Sequence, residues 1–226
     1  DVEVPDVGVV SVCGNLVDRD VILARVDEDV STSKPRSGNF AVNLTVPLPP
    51  PLPVVEFTRG WTTVDATVRG SSFVFANTHL EVAPEEGGLC PPLPPPEGFP
   101  CQILQAEELV GKVLTDTSAP TILVGDFNAE PGTPAYDIIA GAGFADAWDI
   151  RLFGLPQQEN TCCQAEDLLN ASSTLGQRID IIFARVDGEA RSVSTVVFDQ
   201  PWEKTPSGLW PSDHAGVIAR LLYLDS

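Results

Sequence analysis

Residues 121–128 read Thr-Ile-Leu-Val-Gly-Asp-Phe-Asn, a run of four apolar or β-branched residues that ends in a polar turn. The run predicts a buried strand, and Gly125 permits the chain to leave that strand tightly. Asp126 and Asn128 lie two positions apart, so an extended backbone would point both side chains to one face. A simple Asx turn is an equally good alternative. The stretch therefore predicts a strand whose end carries either a site or a turn.

Four further polar clusters lie at the ends of predicted apolar strands, where a strand fixes a residue and a loop exposes it. Two of these clusters hold the only histidines of the chain, His79 and His214, each near acidic groups. A single histidine is more often structural, but two in such positions favour a site. The clusters are Asn-Thr-His-Leu at 77–80, Thr-Cys-Cys-Gln at 161–164, Arg-Ile-Asp-Ile-Ile-Phe at 178–183 and Ser-Asp-His at 212–214.

The residue types in these clusters suit the hydrolysis of a phosphate diester. That reaction needs an activated water, compensation for charge on the phosphoryl oxygens and help for the leaving oxygen. Histidines supply proton-transfer groups, while aspartates and an asparagine supply hard oxygen ligands for Mg²⁺ or Ca²⁺. The aspartates in question are Asp126, Asp180 and Asp213.

His214 needs an acid to orient its ring, and its neighbour Asp213 is poorly placed for that role. Adjacent residues on a strand face opposite ways, so we do not expect Asp213 to hold the ring. Asp180 is the candidate instead. The alternative for Asp180 is a salt bridge with Arg178 at the end of the strand.

Outside residues 121–128, hydrophobic patterns predict strands joined by loops, with few helices. Helices are predicted at 102–115 and 134–141, a hairpin turn at 69–71, and loops at 47–53 and 81–101. So few helices exclude a doubly wound parallel sheet and favour two packed sheets flanked by helices. The predicted strands cover 20–25, 38–46, 61–68, 72–78, 121–124, 179–184, 193–198 and 215–222.

No repeat or linker divides the sequence, so residues 1–226 are predicted to form a single domain. No apolar run approaches the roughly 20 residues that a membrane helix needs. One further polar group, formed by Asp146, Trp148 and Asp149, is expected to pack and to cap the chain rather than to catalyse.

The chain is strongly acidic, with 32 acidic against 13 basic residues and a formal charge of -19. Such a field repels nucleic acid and disfavours tight binding to a duplex, although a local basic patch could offset it. The same field attracts divalent cations. The alternative interpretation is a solvated acidic surface that keeps a secreted protein soluble.

The cysteines indicate an oxidising compartment. Cys90 and Cys101 flank a proline-rich loop, and a disulfide between them would close about a dozen residues and contribute about 3 kcal/mol. Cys162 and Cys163 are adjacent and Cys13 stands alone, a spacing that is not a zinc signature. Together with the acidity, the cysteines predict a secreted, extracellular protein.

The order Asn-Thr-His-Leu, Gly-Asp-Phe-Asn, Arg-Ile-Asp, Ser-Asp-His resembles that of the endonuclease/exonuclease/phosphatase superfamily, over about residues 18–222. Segments 18–25, 59–61 and 161–164 resemble those of a secreted-type subgroup. The resemblance implies a four-layered α/β sandwich, an α+β arrangement in which two packed central sheets are flanked by helices.

The resemblance also implies catalytic roles. His214 would be the general base that activates water, and Asp180 would hold its ring. His79 would donate a hydrogen bond to the scissile phosphate. Asp126 would position the nucleophile or the metal, and Asn128 would stabilise the transition state.

A divalent cofactor follows from the same resemblance. Mg²⁺ is expected, with Ca²⁺ or Mn²⁺ as alternatives, held with the help of Asp126, Asn128 and Asp213. The implied activity is metal-dependent hydrolysis of phosphate esters, of the phosphodiesterase, nuclease or phosphatase type. The substrate would be a small molecule, a lipid headgroup or a nucleic acid.

The chain departs from the family at its start. Family members open with a strand that ends in Asn and a later strand that ends in Leu-Gln-Glu, whose Glu is the principal metal ligand. Nothing before Asp18 matches either motif, so we expect the domain to be N-terminally incomplete. A partner chain or a second copy would then cover the gap. The alternative function is a non-catalytic structural or assembly protein that lacks this metal ligand.

Overall fold

A six-stranded mixed sheet is the largest element of the protein. The computed structural model describes residues 2–4, 8–10, 18–46, 54–84, 89–90, 99–116, 120–152, 159–185, 189–198 and 203–224. In chain order the strands are β1 (Val2–Val4), β2 (Gly8–Val10), β3 (Val30–Asn39), β4 (Leu44–Val46), β5 (Val55–Phe57), β6 (Gly60–Val68), β7 (Ser71–His79), β8 (Leu89–Cys90), β9 (Phe99–Pro100), β10 (Thr121–Asp126), β11 (Ala145–Asp146), β12 (Asp180–Arg185), β13 (Glu189–Phe198) and β14 (Gly216–Leu224).

The six strands lie in the order β11-β12-β10-β7-β6-β3, and β10 runs parallel to β7 while the other neighbours are antiparallel. Strands β6 and β7 form the predicted hairpin, with Val68 opposite Ser71. Its two turn residues, Arg69 and Gly70, have φ angles of 50° and 86°. This left-handed backbone suits a tight hairpin, and glycine adopts it without strain.

Two helices pack on one face of this sheet, where they were predicted. Helix α1 (Cys101–Glu108) continues as a π-helical turn (Leu109–Val113), and α2 spans Pro134–Gly141. Pro134 begins α2 because its fixed φ and missing N–H suit the first helical turn.

The main core lies between the helices and the sheet. Phe127 and Phe183 are fully buried there, with ring centroids 5.2 Å apart in an edge-to-face arrangement. Leu109 and Ile139 bring the two helices into the same cluster, and Leu123 joins it from β10. Because side chains alternate along a strand, Ile122 and Val124 of β10 face the other side of the sheet.

That other side faces a second sheet, formed by β13 and β14. A cavity of about 880 Å³ lies between β14 and the six-stranded sheet, lined by apolar residues such as Phe73, Phe75, Ile122 and Val217. The two facing sheets and the outer helices confirm the predicted α/β sandwich.

The prediction of a strand at 20–25 is wrong. This segment is coil, and its residues Val21 and Leu23 are 58 and 90 % exposed. An apolar run becomes a buried strand only where neighbouring strands pair with it. Here a long hydrogen bond of 3.4 Å from Asn77 Nδ2 to the Val21 carbonyl links the segment to the sheet.

The prediction of one strand over 38–46 is also wrong, because β3 ends at Asn39 and β4 begins at Leu44. Asn43 causes the break, since its side chain donates to the Phe40 carbonyl and accepts from the Arg59 amide. These two bonds form a turn that sequence periodicity does not reveal. The predicted loop at 81–101 contains the short β8–β9 pair, and the predicted loop at 47–53 lies outside the described residues.

The predicted disulfide joins Cys90 to Cys101, at the start of α1. The structure also joins the adjacent residues Cys162 and Cys163. None of the described helices is long and apolar enough to cross a membrane.

We expect the double variant Cys90→Ala, Cys101→Ala to unfold more easily, with the free energy of unfolding lowered by about 3 kcal/mol. The disulfide restricts the conformations that the unfolded chain can adopt. Both cysteines are buried in the fold. Urea titration with and without reductant measures the effect. Reduction should remove the difference between the native protein and the variant, because it opens Cys90–Cys101 in the native protein and the Cys162–Cys163 disulfide in both. Equal midpoints of the two proteins without reductant would contradict the prediction.

Candidate active site

Strand pairing brings three of the predicted polar residues to one end of the six-stranded sheet. Asp126 is the last residue of β10, and it lies opposite His79, the last residue of β7. On its other side it lies opposite Asp180, the first residue of β12. Residues opposite each other on paired strands share a face of the sheet, so their side chains meet.

The side chains of this cluster are within hydrogen-bonding or ion-pairing distance of one another. His79 Nε2 lies 3.3 Å from Asp126 Oδ2. His214 Nδ1 lies 2.8 Å from Asp180 Oδ2 and 3.9 Å from Asp126 Oδ2. The structure therefore places Asp180 against the His214 ring, as expected from the sequence.

The alternative role for Asp180, a salt bridge with Arg178, is wrong. Arg178 Nη1 instead contacts Asp146 Oδ2 at 2.6 Å, and both side chains are buried. Asp146 also accepts a hydrogen bond from the Trp148 amide, which agrees with its predicted packing and capping role. Asp146 neutralises Arg178, so Asp180 is left to bind His214.

Asn128 follows Asp126 in a turn. The Asn128 amide donates to Asp126 Oδ1, which is the Asx turn considered above, and Asn128 has a φ of 48°. The Asn128 side-chain amide donates to the Leu80 carbonyl at 2.8 Å. The turn thus occupies one oxygen of Asp126, while the other oxygen faces the two histidines.

Gly125 makes the close approach of β10 and β7 possible. A Cβ atom at this position would overlap the carbonyl oxygen of Thr78. Thr78 itself is buried, and its hydroxyl donates to the Gly60 carbonyl, so it cannot move aside cheaply. A glycine is therefore required one residue before Asp126.

The protonation of the cluster is shifted by burial and by neighbouring charges. Burial and then the charge of Asp180 raise the pKa of Asp126 to about 6. The hydrogen bond to Asp180 raises the pKa of His214 to about 9. Burial, followed by the positive charge of Arg59, lowers the pKa of His79. The carboxylates of Asp126 and Asp180 thus lie close together, with His214 as the charged partner of Asp180.

Such a donor set fits a divalent cation. Ligand atoms of Asp126, Asp180 and His214 all lie within 4.8 Å of one another. Carboxylate oxygens are the preferred ligands of Mg²⁺, Ca²⁺ and Mn²⁺, and a cation would relieve the repulsion between the two acids. Asp213 is outside this group and exposed, with its Oδ1 contacted by the Ser212 hydroxyl.

Arg59 and Asp18 belong to the site but were not predicted. Arg59 Nη1 lies 2.7 Å from Asp18 Oδ2 and 2.9 Å from His79 Nδ1. An arginine only donates hydrogen bonds, so His79 Nδ1 accepts, and His79 carries its proton on Nε2 when neutral. The available signal was the position of Arg59 directly before β6, whose first residue, Gly60, pairs with His79.

A sequence model of the Endonuclease/Exonuclease/phosphatase family matches residues 22–214 of the chain. The chain belongs to this family. The match contains all the residues of the cluster described above, from His79 to His214. None of the curated proteins matches the chain.

Solved structures show the same family fold. A Bacteroides thetaiotaomicron VPI-5482 mannosyl-6-phosphatase is 20% identical, with a TM-score of 0.54, over 74% of this chain and 58% of that one. A functionally unknown conserved protein of Enterococcus faecalis V583 is 17% identical, with a TM-score of 0.56, over 86% and 67%. D. rerio TDP2 complexed with single strand DNA product is 17% identical, with a TM-score of 0.54, over 86% and 69%. The chain thus spans about three fifths to two thirds of these relatives.

The contact between Asp180 and His214 gives a prediction for the cation-free protein. Asp180→Asn should lower the pKa of His214 from about 9 towards its ordinary value of 6.5. In the native protein, the stability that this pair gives the folded state is fully present below pH 6.5. It is lost as the pH rises through about 9. The variant should lack this loss.

Nitrogen-15 NMR titration of the imidazoles in EDTA measures the pKa directly, because the chain has only two histidines. Urea midpoints at pH 6 and pH 9.5 measure the stability. The control is Asp65→Asn, which removes a carboxylate that pairs with Lys34 on the surface. An unchanged pKa of His214 in Asp180→Asn would contradict the prediction.

Proposed function

We propose that this protein hydrolyses phosphate esters with the help of a divalent cation, His214 serving as the general base. The observation that carries the proposal is the 2.8 Å contact between His214 Nδ1 and Asp180 Oδ2, beside Asp126. A carboxylate that binds Nδ1 fixes the ring and leaves Nε2 to take a proton from water. Family membership and the fold support hydrolysis of this class of ester.

Each remaining group of the cluster has a role in this proposal. His79 would donate from Nε2–H to the phosphoryl oxygens, because Arg59 requires Nδ1 to accept. Without a cation or substrate, Nε2 lies 3.3 Å from Asp126 Oδ2. Asp126, with Asp180 beside it, would hold the cation, and Asn128 and Asp213 stay predicted contributors. A cation bound there would supply positive charge against the charge that develops on the phosphoryl oxygens. Neutralising the two carboxylates would also lower the pKa of His214, which favours the neutral imidazole that a base requires.

We propose a small phosphate ester or a single-stranded substrate rather than a duplex. The formal charge of -19 opposes binding of a long polyanion. Among proteins of similar fold, one is a mannosyl-6-phosphatase and another is complexed with single strand DNA product. We also propose a secreted location, which the Cys90–Cys101 disulfide supports.

The test is hydrolysis of bis(4-nitrophenyl) phosphate with Mg²⁺, followed by colour release. His214→Ala should lower the rate by about two to four orders of magnitude, since it removes the base. EDTA should abolish the activity, and Mg²⁺ or Mn²⁺ should restore it. The control Lys34→Ala removes an exposed charge on β3 and should leave the rate unchanged.

Inactive protein whose intact mass matches the 226 residues would contradict the proposal. That outcome would favour a structural or assembly role for a fold that retains parts of the site. Activity that survives in His214→Ala would instead show that another group activates the water.

We propose further that another polypeptide covers the apolar cavity between β14 and the six-stranded sheet. Most of its lining residues are apolar, and Asp126 and Asp180 also line it. A second copy of the chain would double the mass measured by light scattering, whereas a separate segment would appear as an additional species in the intact mass spectrum. A stable particle with the mass of one 226-residue chain would contradict this proposal.

A further inference from the structure

The segment of residues 161–164, Thr-Cys-Cys-Gln, lies alongside the residues that carry His214. The Ala215 amide donates to the Thr161 carbonyl at 2.7 Å, and the Gln164 amide donates to the Asp213 carbonyl at 2.8 Å. Cys162 forms an isolated antiparallel bridge with His214 itself. The segment therefore fixes the backbone on both sides of His214.

Thr161 also holds the backbone that carries Asp180. Its hydroxyl oxygen accepts hydrogen bonds from the Ile179 amide at 3.1 Å and from the Asp180 amide at 3.0 Å. The Thr161 amide donates to the Gln177 carbonyl at 2.6 Å. This bond links Thr161 to the segment that leads into β12. Thr161 is 1 % exposed, so water cannot replace its hydroxyl without rearrangement.

One residue thus contacts the two chain segments that present Asp180 and His214. The hydroxyl of Thr161 binds the Asp180 side, and its carbonyl binds the residue after His214. In both contacts the donor is a main-chain amide, at or next to a residue whose side chain must meet the other. Asp180 and His214 are 34 residues apart in sequence, so their relative position depends on a link of this kind.

We propose that Thr161 is a positioning residue that sets the geometry of the Asp180–His214 pair. This inference rests on the proposed function of His214 as a base. Thr161 touches none of the reacting groups and acts through the two backbones. Loss of its hydroxyl leaves the buried Ile179 amide and the partly buried Asp180 amide without their acceptor, and the amides must shift to find another. A displacement of about 1 Å in such a pair can lower a rate by about a hundredfold.

Thr161→Val tests the inference because valine keeps the shape of threonine and removes the hydroxyl. We expect kcat for bis(4-nitrophenyl) phosphate to fall by about 10- to 100-fold, with KM changed by less than about threefold. Thr161→Ser keeps the hydroxyl and should stay within about threefold of the native kcat.

The matched control is Thr63→Val, on β6. Thr63 is also 1 % exposed, and its hydroxyl has no hydrogen-bond partner among the described residues. The same chemical change at Thr63 should leave kcat unaltered. An equal fall in kcat in Thr63→Val and Thr161→Val would overturn the inference, because it would show a general effect of buried threonines.

The proton on His214 Nδ1 gives a readout that does not need activity. In a His79→Gln background His214 is the only histidine, so its downfield imidazole resonance is assigned without ambiguity. We expect Thr161→Val to broaden or shift this resonance, and Thr161→Ser to retain it. Native-like kcat together with a native-like resonance in Thr161→Val would overturn the inference.

Two outcomes separate this inference from the proposed function. If the native protein shows no hydrolysis, the proposed function fails and the resonance alone decides the role of Thr161. If Thr161→Val does not fold, the pair Thr161→Ser and Thr161→Ala, which differ only by the hydroxyl, carries the comparison. Equal kcat and equal resonances in that pair would overturn the inference.

Discussion

The pairing of β10 with β7 on one side and with β12 on the other is the constraint on which the site depends. Asp126 ends β10 opposite both His79 and Asp180, so a slip of one residue in either ladder would separate the three side chains. Gly125 allows this register, because a side chain there would overlap the Thr78 carbonyl. The chemistry of the site is thus set first by backbone geometry at a single strand end.

Charge is the second constraint, and it opposes the first. Strand pairing brings two carboxylates together in a partly buried place, where burial and the charge of Asp180 raise the pKa of Asp126. Part of the repulsion is met within the chain, since His214 binds Asp180 and Arg59 lies beside His79. A cation, as proposed for this position, would relieve the remainder. A protein that is acidic overall can still form such a site if some of its few basic side chains lie beside the carboxylates.

The sequence predicted the parts of the structure that have local signals. The hairpin turn at Arg69 and Gly70, helix α2 and strand β10 each carry a turn residue, a helix-starting proline or an apolar run. The segment at 20–25 was predicted incorrectly because its apolar residues lack the neighbours that would bury them. The Asp180–His214 contact was expected from the alternation of side chains and from family motifs. Segments 59–61 and 161–164 were singled out in the sequence, but Arg59 and Thr161 were given no role in the site, since their contacts depend on pairing between distant segments.

The distribution of the site along the chain has a consequence for folding. His79, Asp126, Asp180 and His214 come from four separate segments, and β7 and β10 pair in parallel across the intervening helix. Contacts between distant segments form slowly, because the entropy of closing long loops must be overcome first. A collapsed intermediate with correct helices would therefore still lack the cluster. We therefore expect these four side chains to assemble late, so that their assembly reports completion of the native topology more strictly than secondary structure content does.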